Sequence, residues 1–253
     1  MIFSSPTKAA SKSEAAFTLM ELAVVVAVAG LLLAIVVAAH ATPRNRVYQI
    51  TDVRNHRSIM QAMISFAGDN GDLMPNPAWG TVQKSWLYGT NLPVGGGGTF
   101  SAYLAIHSQQ LVALTNAQLF SYLQDPRLFM CPADDPSDRI FWLRNVTLSS
   151  YVWNAAVNGY GRLFTANPSA YKLSQFRPDA ILEWETDERN PSSFNDGSAT
   201  PDESFSQRHG TNNFTFGMFG GGVATTTVKV FFTEAAMPAA NRLWCNPGSP
   251  NGR

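Results

Sequence analysis

Four groups of side chains in this chain are of types that can do chemistry. Glu21 is a lone carboxylate inside the apolar run Phe17–Ala39. Cys131-Pro132 is followed by Asp134, Asp135 and Asp138. Residues 186–204 are rich in Ser, Pro and Gly and hold Asp187, Glu188, Asp196, Asp202 and Glu203. Gln207-Arg208-His209-Gly210 puts an imidazole ahead of an aromatic, alternating segment. Clustered acids offer oxygen ligands to a hard cation such as calcium. Asp134, Asp135 and Asp138 lack the spacing of a calcium loop, so solvated turn acids are their plainer reading. Asp187, Glu188, Asp196 and Asp202 are weak calcium candidates beside the plainer reading of a solvated loop. His209 as a general base would need a nucleophile, and no Ser or Cys nucleophile motif accompanies it. It reads as a hydrogen-bonding residue at a strand start. The run Gly95–Gly98 lacks the Lys-Ser/Thr of a phosphate loop. No metal-ligand cluster with strong spacing stands out, so the sequence predicts no enzyme and no cofactor beyond the weak calcium reading.

The elements that must position these groups start with Phe17–Ala39. As a helix, Leu22–Ala39 would be roughly 27 Å long, close to a bilayer core of ~30 Å. A carboxylate in such a span costs on the order of 2.5–3.5 kcal/mol at mid-bilayer, so Glu21 calls for a partner. Pro43 should interrupt the helix near Ala39–Thr42. Beyond it Val47, Ile50, Val53, Met60, Met63 and Ala67 recur at helical spacing, which predicts a second helical segment over Arg44–Ala67 with this apolar face packed on a domain. Gly68–Pro77 stops it. Ser108–Gln124 reads as a helix in two pieces, with Thr115 capping the second and Leu119, Phe120 and Leu123 on its buried side. Ser149–Asn154, Ala180–Glu185, Asn213–Met218 and Val223–Phe232 read as strands, the last being the clearest because it is rich in β-branched residues. Glycines 220–222 supply a tight turn between the last two.

Composition narrows the classes. The chain has 253 residues, a formal net charge of +0 and 14% charged residues. No strong basic field exists, which excludes nucleic acid as a partner. About 210 residues beyond the apolar run suffice for one sizeable core. Cys131 and Cys245 are too few for a disulfide scaffold. In an exported domain they are a candidate disulfide pair; otherwise they are two free thiols.

Ala16-Phe17-Thr18-Leu19-Met20-Glu21-Leu22, preceded by a polar leader with Lys8 and Lys12, resembles the cleavage and methylation motif of type IV pilins and type II secretion pseudopilins. Ala16 stands where that family usually has Gly. The resemblance implies a prepilin peptidase cutting between Ala16 and Phe17, methylation of the new amino terminus, and Glu21 neutralising the amino terminus of a neighbouring subunit. The stretch from Ser65 to Pro75, Cys131-Pro132 and Arg208-His209-Gly210 further resemble a large-domain subgroup of exported pilin-like proteins with a C-P dipeptide and a late His-to-Gly motif. That subgroup has Asp-Gly where this chain has Phe219-Gly220.

The expected organisation is a leader over 1–16, a transmembrane and filament-core helix over 17–42, the second half of that helix over 43–67, and an exported globular domain over 68–253. The expected fold is α+β and pilin-like: a long kinked amino-terminal helix, transmembrane in its first half, packed on a mainly antiparallel sheet. The expected function is a structural filament subunit of a pilus-like or pseudopilus assembly. Its partners would be prepilin peptidase, copies of itself and other pilin-like subunits, inner-membrane assembly machinery and membrane lipid. Its location would be the inner membrane, with the carboxy-terminal domain exported, and then a filament. The alternative is a membrane-anchored exported binding or enzymatic domain that never polymerises. A weaker idea is a tip subunit with a ligand surface around Trp79 and Trp86.

Overall fold

The computed structural model describes residues 18–41, 43–95, 97–203, 205–210 and 212–253. The chain divides into two compact units, Met1–Arg44 and Asn45–Arg253. In the first, helix α1 spans Leu19–Ala41. Thr18 and Glu21 start it with reciprocal bonds. The Thr18 amide donates to Glu21 Oε2 at 2.9 Å, and the Glu21 amide donates to Thr18 Oγ1 at 3.2 Å. This is a capping box, which satisfies two amides that have no partner within the helix. Every described apolar side chain of α1, from Leu19 to Leu33, is exposed. Among the described residues no helix is long and apolar enough to cross a membrane. The apolar run continues in the sequence into residues 34–41, whose side chains lie outside the description.

Helix α2 is described over Pro43–Asp69, and residue 42 before it lies outside the described residues. Helices α3 (Phe100–Thr115), α4 (Phe120–Leu123) and α5 (Arg139–Trp142) precede the sheet. The sheet has five strands in the order β3-β1-β2-β4-β5. Their ranges are β1 Tyr151–Asn154, β2 Ile181–Glu185, β3 Ser198–Ala199, β4 Phe214–Met218 and β5 Val223–Thr226. All pairings are antiparallel except β1 with β3. The fold is therefore α+β with a mixed, mostly antiparallel sheet.

Both faces of the sheet are covered, so β1 and β2 are buried at every position. On one side Ile59, Met60, Met63 and Phe66 of α2 join Trp86, Tyr151, Trp153 and Leu182 in the main core. On the other side Val152, Trp184, Phe214 and Phe216 pack with Val228 and Phe231 of helix α6, Val228–Ala235. A register shift between Ile181 and Glu183 breaks the alternation of β2. Glu183 thereby reaches His56 of α2 while Trp184 belongs to the opposite core. At Gly217 of β4 α2 packs closely on the sheet: a Cβ there would stand 2.6 Å from Met60 Sδ.

Several expectations need correction. The run Val223–Phe232 is a strand only to Thr226; the Thr227 hydroxyl then accepts the Val230 amide at 3.2 Å and starts α6. Its β-branched residues lost to the amphipathic pattern of Val228, Phe231 and Ala235. Thr115 ends α3 instead of capping the next piece, and Leu119 occupies the cap position of α4. Val47 and Ile50 are exposed, so the expected apolar face of α2 is not its buried face at that end. Trp86 is wholly buried and stacks on Trp153 at 4.9 Å, so it is core and cannot line a ligand surface. The glycine turn between β4 and β5 holds, with Gly221 at φ +84°.

Candidate functional site

The buried face of α2 does continue toward its start, but in polar residues. Asp52, Asn55, His56, Ile59, Met60 and Met63 follow one another at three- and four-residue steps, and all are buried. Opposite them, Glu183 and Glu185 project from β2, and Tyr151 and Trp153 from β1. The segment after α4 delivers Cys131 and Asp134, and the turn before β4 delivers Arg208 and His209. Five separate stretches of chain thus put their polar groups into one interior volume between helix and sheet.

Many of these groups are paired, although Asp52 Oδ2, His56 Nε2, Arg144 Nε, and Arg208 Nε and Nη2 are buried without a hydrogen-bond partner. Arg144 forms a bidentate pair with Asp134, at 2.7 and 2.9 Å, and its guanidinium stacks on Phe194 at 3.7 Å. Arg208 donates to Glu185 Oε1 at 3.0 Å and pairs with Asp134 Oδ2 at 3.1 Å. Ser150 donates to Asp134 Oδ2 at 2.8 Å. His56 Nδ1 meets Glu183 Oε2 at 2.7 Å, and Trp153 Nε1 donates to Glu183 Oε1 at 3.2 Å. The Tyr151 hydroxyl donates to Asp52 Oδ1 at 2.8 Å. The other Asp52 oxygen is buried without a hydrogen-bond partner. His209 Nε2 lies 3.3 Å from Cys131 Sγ, 3.6 Å from Glu185 Oε2 and 3.7 Å from Asp52 Oδ2.

Burial and charge set the protonation states. Burial opposes a charged His56, yet Asp52 and Glu183 outweigh it and push the ring up to about 9. Burial also pushes Glu183 up, so this pair shares one proton. Burial resists the Asp134 carboxylate, but Arg208 and Arg144 prevail and hold it below the usual range. Burial pushes the Glu185 carboxyl up, helped by Asp52. Burial, with Glu185 and Asp52, pushes the Cys131 thiol far up. That is the wrong electrostatics for a thiolate nucleophile, so Cys131 and His209 are not set up as a catalytic dyad. Asp52, Cys131, Glu185 and His209 do form a group in which one ligand atom from each lies within 4.8 Å of the others.

The sequence candidates divide around this cluster. Cys131 and His209 come together. Cys131 and Cys245 do not pair: both are free thiols, with Cys131 beside His209 and Cys245 beside the Asn154 amide at 3.7 Å. Asp134 is not a solvated turn acid but a buried partner of two guanidiniums. Asp187 pairs with Arg189, Glu188 accepts from Ser206, Asp196 accepts from the Gly80 amide, and Asp202 is exposed. Among the described residues these four acids form no metal-ligating group. Ala16 and Phe17 lie outside the described residues. Glu21 sits in the first turn of α1.

Sequence reasoning missed Asp52, His56, Arg144, Glu183 and Glu185. Two signals were present: an acid and a His four apart on the predicted helix, and two acids on alternate positions of the apolar strand AILEWE. Comparison of the chain with protein-family models, with curated proteins and with solved structures finds no match.

Proposed function

We propose that this protein is a structural subunit of a pilus-like or pseudopilus filament, cut by prepilin peptidase between Ala16 and Phe17. The carrying observation is α1: it exposes apolar side chains on all sides from Leu19 to Leu33, and its lone charged group, Glu21, lies in its first turn. An all-apolar helix surface needs lipid or other apolar helices around it. Both surroundings occur in the life of such a subunit, first in the inner membrane and then in a helical filament core. Glu21 would meet the methylated amino terminus of a neighbour, an ion pair that is favourable only if both charges reach the same depth. The exported domain would form the filament surface. No catalytic step is part of this reading.

Intact mass and amino-terminal sequencing of the protein from membranes, with and without prepilin peptidase, test it. The expected product is a chain beginning at N-methylated Phe17, formed only with the peptidase. A chain retaining Met1, or one cut beyond Ala39, would overturn the proposal and leave an anchored or released domain.

A further inference from the structure

Asp52, Cys131, Glu185 and His209 form a closed ligand set, and we propose that it binds one Zn2+ ion that ties α2 to the sheet. The inference is independent of the filament reading. Tetrahedral zinc with bonds of ~2.0–2.3 Å holds neighbouring ligand atoms roughly 3.3–3.8 Å apart. The three separations from His209 Nε2 are 3.3, 3.6 and 3.7 Å. Each carboxylate has one oxygen secured from outside and one directed inward. Tyr151 holds Asp52 Oδ1, and Arg208 holds Glu185 Oε1. Such outer partners fix the orientation of metal ligands. The inward Asp52 oxygen, wholly buried and without a hydrogen-bond partner, is the kind of acceptor a cation satisfies.

Ligand type selects the ion. Thiolate and imidazole favour zinc over calcium or magnesium, which take oxygen ligands in larger number. Four protein ligands leave no open position, so the site is structural. A cleft of about 660 Å³, lined in part by Asn55, Met130 and Cys131, gives the ion a path in. Binding replaces the thiol proton by the metal and releases that proton to solvent.

The test uses the full chain in detergent, stripped with a chelator and titrated with Co2+ and then Zn2+. One Co2+ per chain should bind to the stripped chain with release of one proton and a thiolate-to-cobalt charge-transfer band, and Zn2+ should displace the Co2+ and raise Tm. Cys131→Ser should abolish the band and Cys245→Ser should retain it. Tyr151→Phe, which frees Asp52, should weaken Zn2+ binding by about 10–100-fold. No uptake of Co2+ or Zn2+ by the stripped chain would overturn the proposal. So would a band lost in Cys245→Ser but kept in Cys131→Ser, or a Tm raised by Ca2+ and not by Zn2+. If Cys131→Ser does not fold, the stoichiometry and Zn2+-dependent Tm of the native chain decide.

Discussion

Asp134 is the shared counterion of two buried guanidiniums in the unit Asn45–Arg253. Its carboxylate neutralises both Arg144 and Arg208, and all three side chains are almost fully buried. Asp134→Ala would leave two guanidiniums in the interior without it, although Glu185 still pairs with Arg208. Breaking a buried pair in this way costs about 3–5 kcal/mol. The expected outcome is a large fall in Tm, read by thermal or denaturant unfolding in detergent. His107 gives a pH-dependent effect of defined sign. Burial lowers its pKa, and Nδ1 meets Thr147 Oγ1 at 2.8 Å. The unfolded chain takes up a proton near pH 6.5 that the folded ring resists, so stability should fall as pH drops below about 6.5. His107→Gln should flatten that part of the stability curve between pH 5 and 7.

At the level of elements, the contact between α2 and β4 decides how the sheet is covered. Gly217 lets Met60 lie directly on the strand. Gly217→Val forces bulk into this contact and should cost about 1–3 kcal/mol. Combining it with Met60→Ala, which makes room, should cost less than the two single changes added together, because neighbouring sites couple. A double-mutant cycle by urea unfolding measures the difference. The same element explains a failure of pattern reading. Three- and four-residue spacing on α2 runs through Asp52, Asn55 and His56, but periodicity read by hydrophobicity passes over polar residues and picked exposed Val47 and Ile50 instead. Likewise β-branched composition in Val223–Phe232 suggested one long strand, whereas the Thr227 cap turns the second half into α6. Intrinsic preference for strand is weak enough for a cap and a buried apolar face to override it.

For the whole molecule, the proposed assembly makes Glu21 the residue to change. Glu21→Ala should leave cleavage and membrane insertion intact but prevent entry into filaments, as seen by shearing and electron microscopy. Glu21→Gln separates two roles. It retains an oxygen that can accept the Thr18 amide in the capping box. It removes the charge that a neighbouring amino terminus needs. Assembly lost equally in both variants places the requirement on charge. Assembly restored by Gln places it on the start of α1.

The sequence by itself determined the elements whose signals are local. The apolar run, strands β1, β2 and β4 and the glycine turn all follow from the side-chain pattern and backbone geometry of a few adjacent residues. It also singled out Cys131-Pro132 and Arg208-His209-Gly210, though as separate features. The candidate site was decided only by tertiary structure. Asp52, Cys131, Glu185 and His209 are far apart in sequence, and only packing α2 across the sheet brings their ligand atoms within 4.8 Å. Burial is likewise a property of the folded whole. The same packing makes Asp134 a sequestered counterion and pushes the Cys131 thiol up, effects that no local composition records.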